Sequence, residues 1–112
     1  AAQYKLDNLI AFLDNNGLQI DGKITDVMSP EPLPDKYRAF GWHVIEAAGH
    51  DVQSLHAAIE EAKTIKGQPS IIIMQTVKGK GVPQMENQAG WHGKAPSKEQ
   101  CAEFLAELDG DK

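Results

Sequence analysis

Apolar residues fall in two kinds of run along this chain, short continuous blocks and stripes repeating every three or four positions. Residues 8–14, Asn-Leu-Ile-Ala-Phe-Leu-Asp, form a block that stops at Asn15-Asn16-Gly17. A short apolar run closed by turn formers predicts a buried strand ending in a loop. Residues 42–47, Trp-His-Val-Ile-Glu-Ala, predict a second strand. Residues 70–77, Ser-Ile-Ile-Ile-Met-Gln-Thr-Val, predict a third. This last block is β-branched and nearly all apolar, which points to a strand buried on both faces of a parallel sheet.

Between and after these blocks the period changes. Val52, Leu55, Ile59, Ala62 and Ile65 recur at helical spacing, with Asp51 as N-cap and Gly67 and Pro69 as stops. Ser97-Lys98-Glu99-Gln100 has capping-box spacing, and Cys101, Phe104, Leu105 and Leu108 give the following helix an apolar stripe. Cys101 on that stripe is expected to be a core residue. Gly17, Gly22 and the prolines at 30, 32 and 34 mark residues 17–34 as a long connection. A short helix is expected over about 35–40, closed by Gly41. Residues 1–5 are good helix formers with no cap in front, so the start reads as a break inside a longer chain. Strand and helix alternate three times. That order predicts an α/β fold, a three-layer sandwich with a mainly parallel sheet, in a single domain.

Composition narrows the function classes. The chain has 112 residues, 41% hydrophobic and 24% charged, ordinary values for a globular protein with one modest core. The formal charge is −5. An acidic balance argues against general nucleic-acid binding, which needs cations to neutralise phosphates. A single cysteine excludes an internal disulfide and a cysteine metal cluster, and makes a reducing, cytoplasmic setting the default. No apolar run is long enough to span a bilayer, so no membrane role is expected.

Ligands of open parallel sheets sit at the carboxyl ends of strands. Two polar loops leave such ends here. Residues 14–22 offer amide and carbonyl oxygens, the hard ligands that magnesium and calcium prefer, although Asn-Asn-Gly after a strand is also an ordinary turn. Residues 78–96 carry four glycines, several lysines and His92. Such a loop can bring backbone N–H groups and positive charge to phosphate oxygens, although loop lysines are mostly solvated. A connection this long is often functional.

The stretch from Lys5 to Gly22 resembles the transketolase segment that closes the thiamine-diphosphate motif, which begins with Gly-Asp-Gly and ends in Asn-Asn or Asp-Asn. Phe40-Gly41-Trp42-His43-Val44-Ile45-Glu46 and Gly49-His50-Asp51 resemble the family's next strand and turn. Thr76-Val77-Lys78-Gly79-Lys80-Gly81 and Gly90-Trp91-His92-Gly93-Lys94-Ala95-Pro96 resemble its later cofactor loop, in the form of the shorter and two-subunit transketolases. The resemblance covers nearly the whole chain, in order. It implies the back part of the N-terminal, thiamine-diphosphate-binding domain.

By this resemblance the cofactors are thiamine diphosphate and a divalent metal, magnesium or calcium. Asn16 is implied as a metal ligand through its side-chain oxygen and Leu18 through its backbone carbonyl; Asn15 is not, since the family uses the second residue of the pair. Ile20 is implied to pack near the thiazolium ring. His92 is implied to reach both the diphosphate and a sugar phosphate substrate, where an imidazole can donate a hydrogen bond or relay protons. Lys78 matches a lysine near the cofactor. Trp91 either walls the pocket or packs, and Lys80 and Lys94 are read as solvated. His43, His50, His56, Asp21 and the Glu60-Glu61 pair receive packing, turn or surface readings.

The activity so implied is transfer of a two-carbon ketol unit between sugar phosphates. Gly-Asp-Gly does not occur in these 112 residues, nor do the family's upstream histidines or its activating glutamate, which comes from a pyrimidine-binding domain. The implied partners are therefore the upstream part of the same domain and a pyrimidine-binding domain or C-terminal subunit, in a homodimer or heterotetramer. The isolated chain is expected to be inactive. Two other readings stay open. One is a different thiamine-diphosphate enzyme, such as 1-deoxyxylulose-5-phosphate synthase or a dehydrogenase subunit; the residues around Gln19-Ile20-Asp21-Gly22 and Trp91-His92-Gly93 favour transketolase. The other is a non-catalytic α/β assembly module, against which Asn16 and His92 argue.

Overall fold

A computed structural model describes residues 1–110. The backbone divides into two compact units, Ala1–Asn16 with Ser29–Thr76, and Gly17–Met28 with Val77–Lys112. The first unit holds a three-stranded parallel sheet. Its strands are β1 (Ile10–Asn15), β4 (His43–Ala48) and β5 (Ser70–Gln75), in the order β1-β5-β4. The last strand in sequence is thus the central one, paired with β1 from Ile10↔Ser70 to Asn15↔Gln75 and with β4 from His43↔Ser70 to Ala48↔Gln75.

That central place explains the composition of β5. Helix α2 (Leu33–Ala39) and helix α3 (Val52–Thr64) cover opposite faces, giving the three layers that the pattern predicts. Successive β5 side chains alternate between them. Ile71 and Ile73 meet Leu33 and Tyr37 on the α2 side, with Trp42 and Val44 from around β4. Ile72 meets Ile45, Ala47, Ala58 and Ala62 on the α3 side. Phe12 lies on the α3 side by register but is 51% exposed, because α3 lies over β4 and β5.

Local signals set the helix ends. Asp51 Oδ1 accepts the Gln53 N–H at 2.8 Å, the expected N-cap of α3. The helix ends at Thr64, and Gly67 follows with φ 75°. Val52, counted on the buried stripe from sequence, is instead 80% exposed, in the first turn of the helix. Glu60 and Glu61 are exposed as expected. Lys63 donates to Glu60 at 2.8 Å and holds that carboxyl below its ordinary range. Glu61 is also tied down, 2.9 Å from His43 Nε2, so one of the two surface glutamates links α3 to β4.

Gly49 shows why the turn after β4 needs a glycine. Its N–H donates to Gln75 O at 2.8 Å. A Cβ there would sit 2.3 Å from Thr76 Cγ2 and 3.0 Å from Gln75 O. Gly49→Ala should therefore cost about 2 kcal/mol through overpacking. Faster amide exchange at the ends of β4 and β5 would report the loss; unchanged protection would refute this account.

The second unit contains structure that the pattern did not predict. Within the expected connection lies an antiparallel hairpin of β2 (Leu18–Gln19) and β3 (Gly22–Lys23), followed by helix α1 (Ile24–Val27). Ile20 and Asp21 form its two-residue loop, so Asp21 is the turn former it was read to be. Two-residue strands are too short to show alternation, which is why the pattern missed them. Helix α4 (Lys98–Gly110) begins with the predicted capping box. Ser97 Oγ accepts the Gln100 N–H at 3.2 Å, and Gln100 Oε1 accepts the Ser97 N–H at 3.0 Å.

The α4 stripe departs from expectation. Phe104 alone is buried, under Trp91, with ring centroids 6.0 Å apart in an edge-on arrangement. Cys101 is exposed, not core, and Leu105 and Leu108 are 56% and 44% exposed. One aromatic ring covers about one turn of helix, so apolar positions to either side meet solvent. The remaining boundaries differ from the sequence reading by one to a few residues, as hydrogen bonding rather than composition defines strand ends.

Candidate functional site

The carboxyl edge of the parallel sheet is the place where ligands of such sheets bind. In the first unit, β1 ends at Asn15 and β5 ends opposite it at Gln75. The Thr76 N–H donates to Asn15 O at 3.5 Å, and the Thr76 hydroxyl donates to the Asp14 carboxylate. These contacts fasten the last turn of both strands. Asn16 is the next residue after β1 and is half-buried. Its position is thus set by strand geometry rather than by a loose loop.

The second unit carries the other residues singled out. Leu18 opens the hairpin, half-buried, paired with Lys23. Gly17, with φ 72°, makes the bend before it, and Gly17 O accepts the Ile24 N–H at 3.0 Å. Ile20 stands at the hairpin tip, 62% exposed.

Lys78 is half-buried at the start of the long loop. Gly79 follows with φ 74°, and a Cβ on it would lie 2.7 Å from Met85 Cβ and Met85 O. The loop therefore folds back on itself at a point only glycine can occupy. The Asn87 N–H donates to Lys78 O at 3.0 Å, and Glu86 accepts the Gly81 N–H at 3.1 Å. Lys80, read as solvated, is exposed and lies 3.4 Å from Glu86. Residues 78–87 are thus tied together by their own hydrogen bonds.

His92 follows the 3-10 turn Ala89–Trp91, is exposed, and donates its N–H to Ala89 O at 2.9 Å. Trp91, read as pocket wall or packing residue, packs within the second unit. Its ring lies against Phe104 and its Nε1–H donates to Gln84 O at 3.2 Å. Lys94, read as merely solvated, places its ammonium 4.6 Å over that ring, a cation–π contact. Sequence reasoning missed Gln84 and Glu107, whose hydrogen bond joins this loop to α4 at 2.7 Å. No sequence signal marks two polar residues 23 positions apart as partners.

Among the described residues, no three of the His, Cys, Asp and Glu side chains cluster as a metal-binding group. Nor is any helix among them long and apolar enough to cross a membrane.

Comparison with known proteins agrees with the fold. Residues 1–110 match the family model for the transketolase thiamine diphosphate binding domain. The chain is 43% identical over 105 residues to a 6-deoxy-6-sulfo-D-fructose transketolase subunit, SqwG, of a Clostridium species, covering 94% of this chain and 38% of that protein. It is 42% identical over 106 residues to one of the subunits of the apulose-4-phosphate transketolase of Phocaeicola vulgatus, covering 95% of this chain and 38% of that protein. These 112 residues thus span well under half the length of those relatives. The crystal structure of Campylobacter jejuni transketolase superposes with a TM-score of 0.86 at 30% identity, over 99% of this chain and 17% of that one. The chain belongs to the transketolase family, within its thiamine diphosphate binding domain.

Proposed function

We propose that this chain is the C-terminal part of the cofactor-binding domain of a transketolase, which moves a two-carbon ketol unit from a ketose phosphate to an aldose phosphate. The observation that carries this reading is the register of β1 and β5, which ends both strands at one sheet edge with Asn16 as the next residue. In this proposal Asn16 and Leu18 hold the divalent metal through neutral oxygens. Ile20 shields the thiazolium ring from water. Lys78 and His92 place positive charge and hydrogen-bond donors at the diphosphate, and His92 also contacts the substrate. The cofactor supplies the electron sink for breaking and making the carbon–carbon bond.

Relatives named for a sulfosugar and for a sugar phosphate support a ketose with an anionic end as donor. Relatives named as subunits support an assembly in which the rest of this domain and a pyrimidine-binding domain or C-terminal subunit complete the site, as a homodimer or heterotetramer. The setting is cytoplasmic, and residues 1–112 by themselves turn over no substrate; turnover by the isolated chain would overturn that part.

The test is kinetic, on the complete assembly with cofactor and magnesium. Ketol transfer between a ketose phosphate and an aldose phosphate is the expected activity. Decarboxylation of a 2-oxo acid in its place would support the synthase reading instead. His92→Ala should slow ketol transfer by about a hundredfold, the low end for a lost acid–base group. Wild-type rates in that variant would remove His92 from the reaction.

A further inference from the structure

Residues 82–93 approach His92 through a series of tight turns, with Met85 N–H on Val82 O, Gln88 N–H on Met85 O and Trp91 N–H on Gln88 O. Such turns define local shape but not the direction in which the segment points. That direction is set by α4 at two places. Gln84 Nε2–H donates to Glu107 Oε1 at 2.7 Å. Trp91 packs edge-on against Phe104. Phe104 and Glu107 are three residues apart and so share one face of the helix. Gln84 also closes the triangle, because its carbonyl accepts the Trp91 indole N–H at 3.2 Å. Glu107 Oε2 is buried without a hydrogen-bond partner among the described residues, so the Gln84 amide is the donor that compensates this carboxylate.

We propose that Gln84 and Glu107 are positioning residues for His92. Their hydrogen bond clamps the loop to α4, which orients Trp91 and, one peptide bond on, the imidazole. This rests on the reading of His92 as the group that meets diphosphate and substrate. The clamp lies wholly within the second unit and involves no cofactor contact of its own. A charge-assisted hydrogen bond of this length is among the stronger kinds, and small displacements of a reacting group are costly.

The test uses the complete assembled enzyme, labelled with fluorotryptophan, in four forms: Gln84→Glu, the exchange variant Gln84→Glu with Glu107→Gln, His92→Ala, and His92→Ala combined with Gln84→Glu. Assignment of the Trp91 resonance comes from Trp91→Phe. Gln84→Glu sets two carboxylates against each other. It should shift or broaden the Trp91 resonance and lower kcat/KM by roughly tenfold. The exchange variant reverses donor and acceptor, so it should restore both the resonance and most of the activity, an effect that general loss of stability would not produce. With His92 already replaced by Ala, Gln84→Glu should cost under about twofold further, because the two changes act on one group.

An unmoved Trp91 resonance in Gln84→Glu would overturn the clamp. A shifted resonance with the full tenfold loss retained in the His92→Ala background would overturn its action through His92. Wild-type kinetics in His92→Ala alone would overturn the catalytic reading, and with it the positioning of a catalytic group; the resonance would still decide whether the clamp holds the loop.

Discussion

Asn16→Ala should leave the assembled enzyme folded while weakening metal-dependent thiamine diphosphate binding by about a hundredfold or more. Loss of groups that only support metal ligands already costs roughly 10- to 100-fold, and a ligand itself should cost at least as much. The placement of Asn16 follows from β1. Asn15 is in register with Gln75, its carbonyl takes the Thr76 N–H, and Asp14 accepts from the Thr76 hydroxyl, so the residue after the strand has little freedom. Calorimetry of the complete assembly with cofactor, with and without magnesium, reads the effect directly. Asn16→Asp keeps an oxygen at the same place and should retain metal dependence, whereas Asn15→Ala should matter much less. Unchanged magnesium dependence in Asn16→Ala would take this residue out of the site and leave the fold untouched.

Ile72→Ala should be the most damaging change to the sheet, about 4 kcal/mol, near the upper part of the range for emptying a buried isoleucine. Ile72 has no exposed surface. Its strand is bonded on both sides, to β1 through Phe12 and to β4 through Ile45. Its side chain fills the space before Ala58 and Ala62 of α3. Two hydrogen-bonded neighbours prevent β5 from moving to close the void, and two alanines have no side chain to swing into it. Ile72→Val, which removes one methylene, should cost about 1 kcal/mol. Native-state hydrogen exchange of the β5 amides separates this effect from opening elsewhere in a larger assembly. Equal protection in wild type and Ile72→Ala would show that the neighbours relax into the space after all.

Parts of the candidate site were legible along the chain and parts were not. The Asn16 and His92 segments stand out because each is a compact run of special residues, Asn15-Asn16-Gly17 and Gly90-Trp91-His92-Gly93, recognisable without knowing the fold. Lys78 stands out in the same way beside Gly79, whose positive φ and close approach to Met85 the structure then accounts for. Gln84 and Glu107 did not, because polar residues are common on any surface and only their proximity gives them meaning. Trp91 stands out in its run as well, but its contacts with Phe104 and Gln84 came only with the structure.

Elements with local causes were already dictated by the order of residues. Asp51 and the Ser97–Gln100 box start α3 and α4, and Gly67 follows the end of α3, because each signal acts over three or four residues of backbone. The run of isoleucines in β5 likewise announced burial on both faces. Folding in three dimensions was needed to settle that β5 lies between β1 and β4, that Phe12 and the flanks of the α4 stripe meet solvent, and that Glu61 reaches His43. An apolar pattern records which face avoids water but carries no address for the surface that covers it. Strand order, register and cross-loop clamps arise from contacts between residues tens of positions apart, and only the folded chain brings those together.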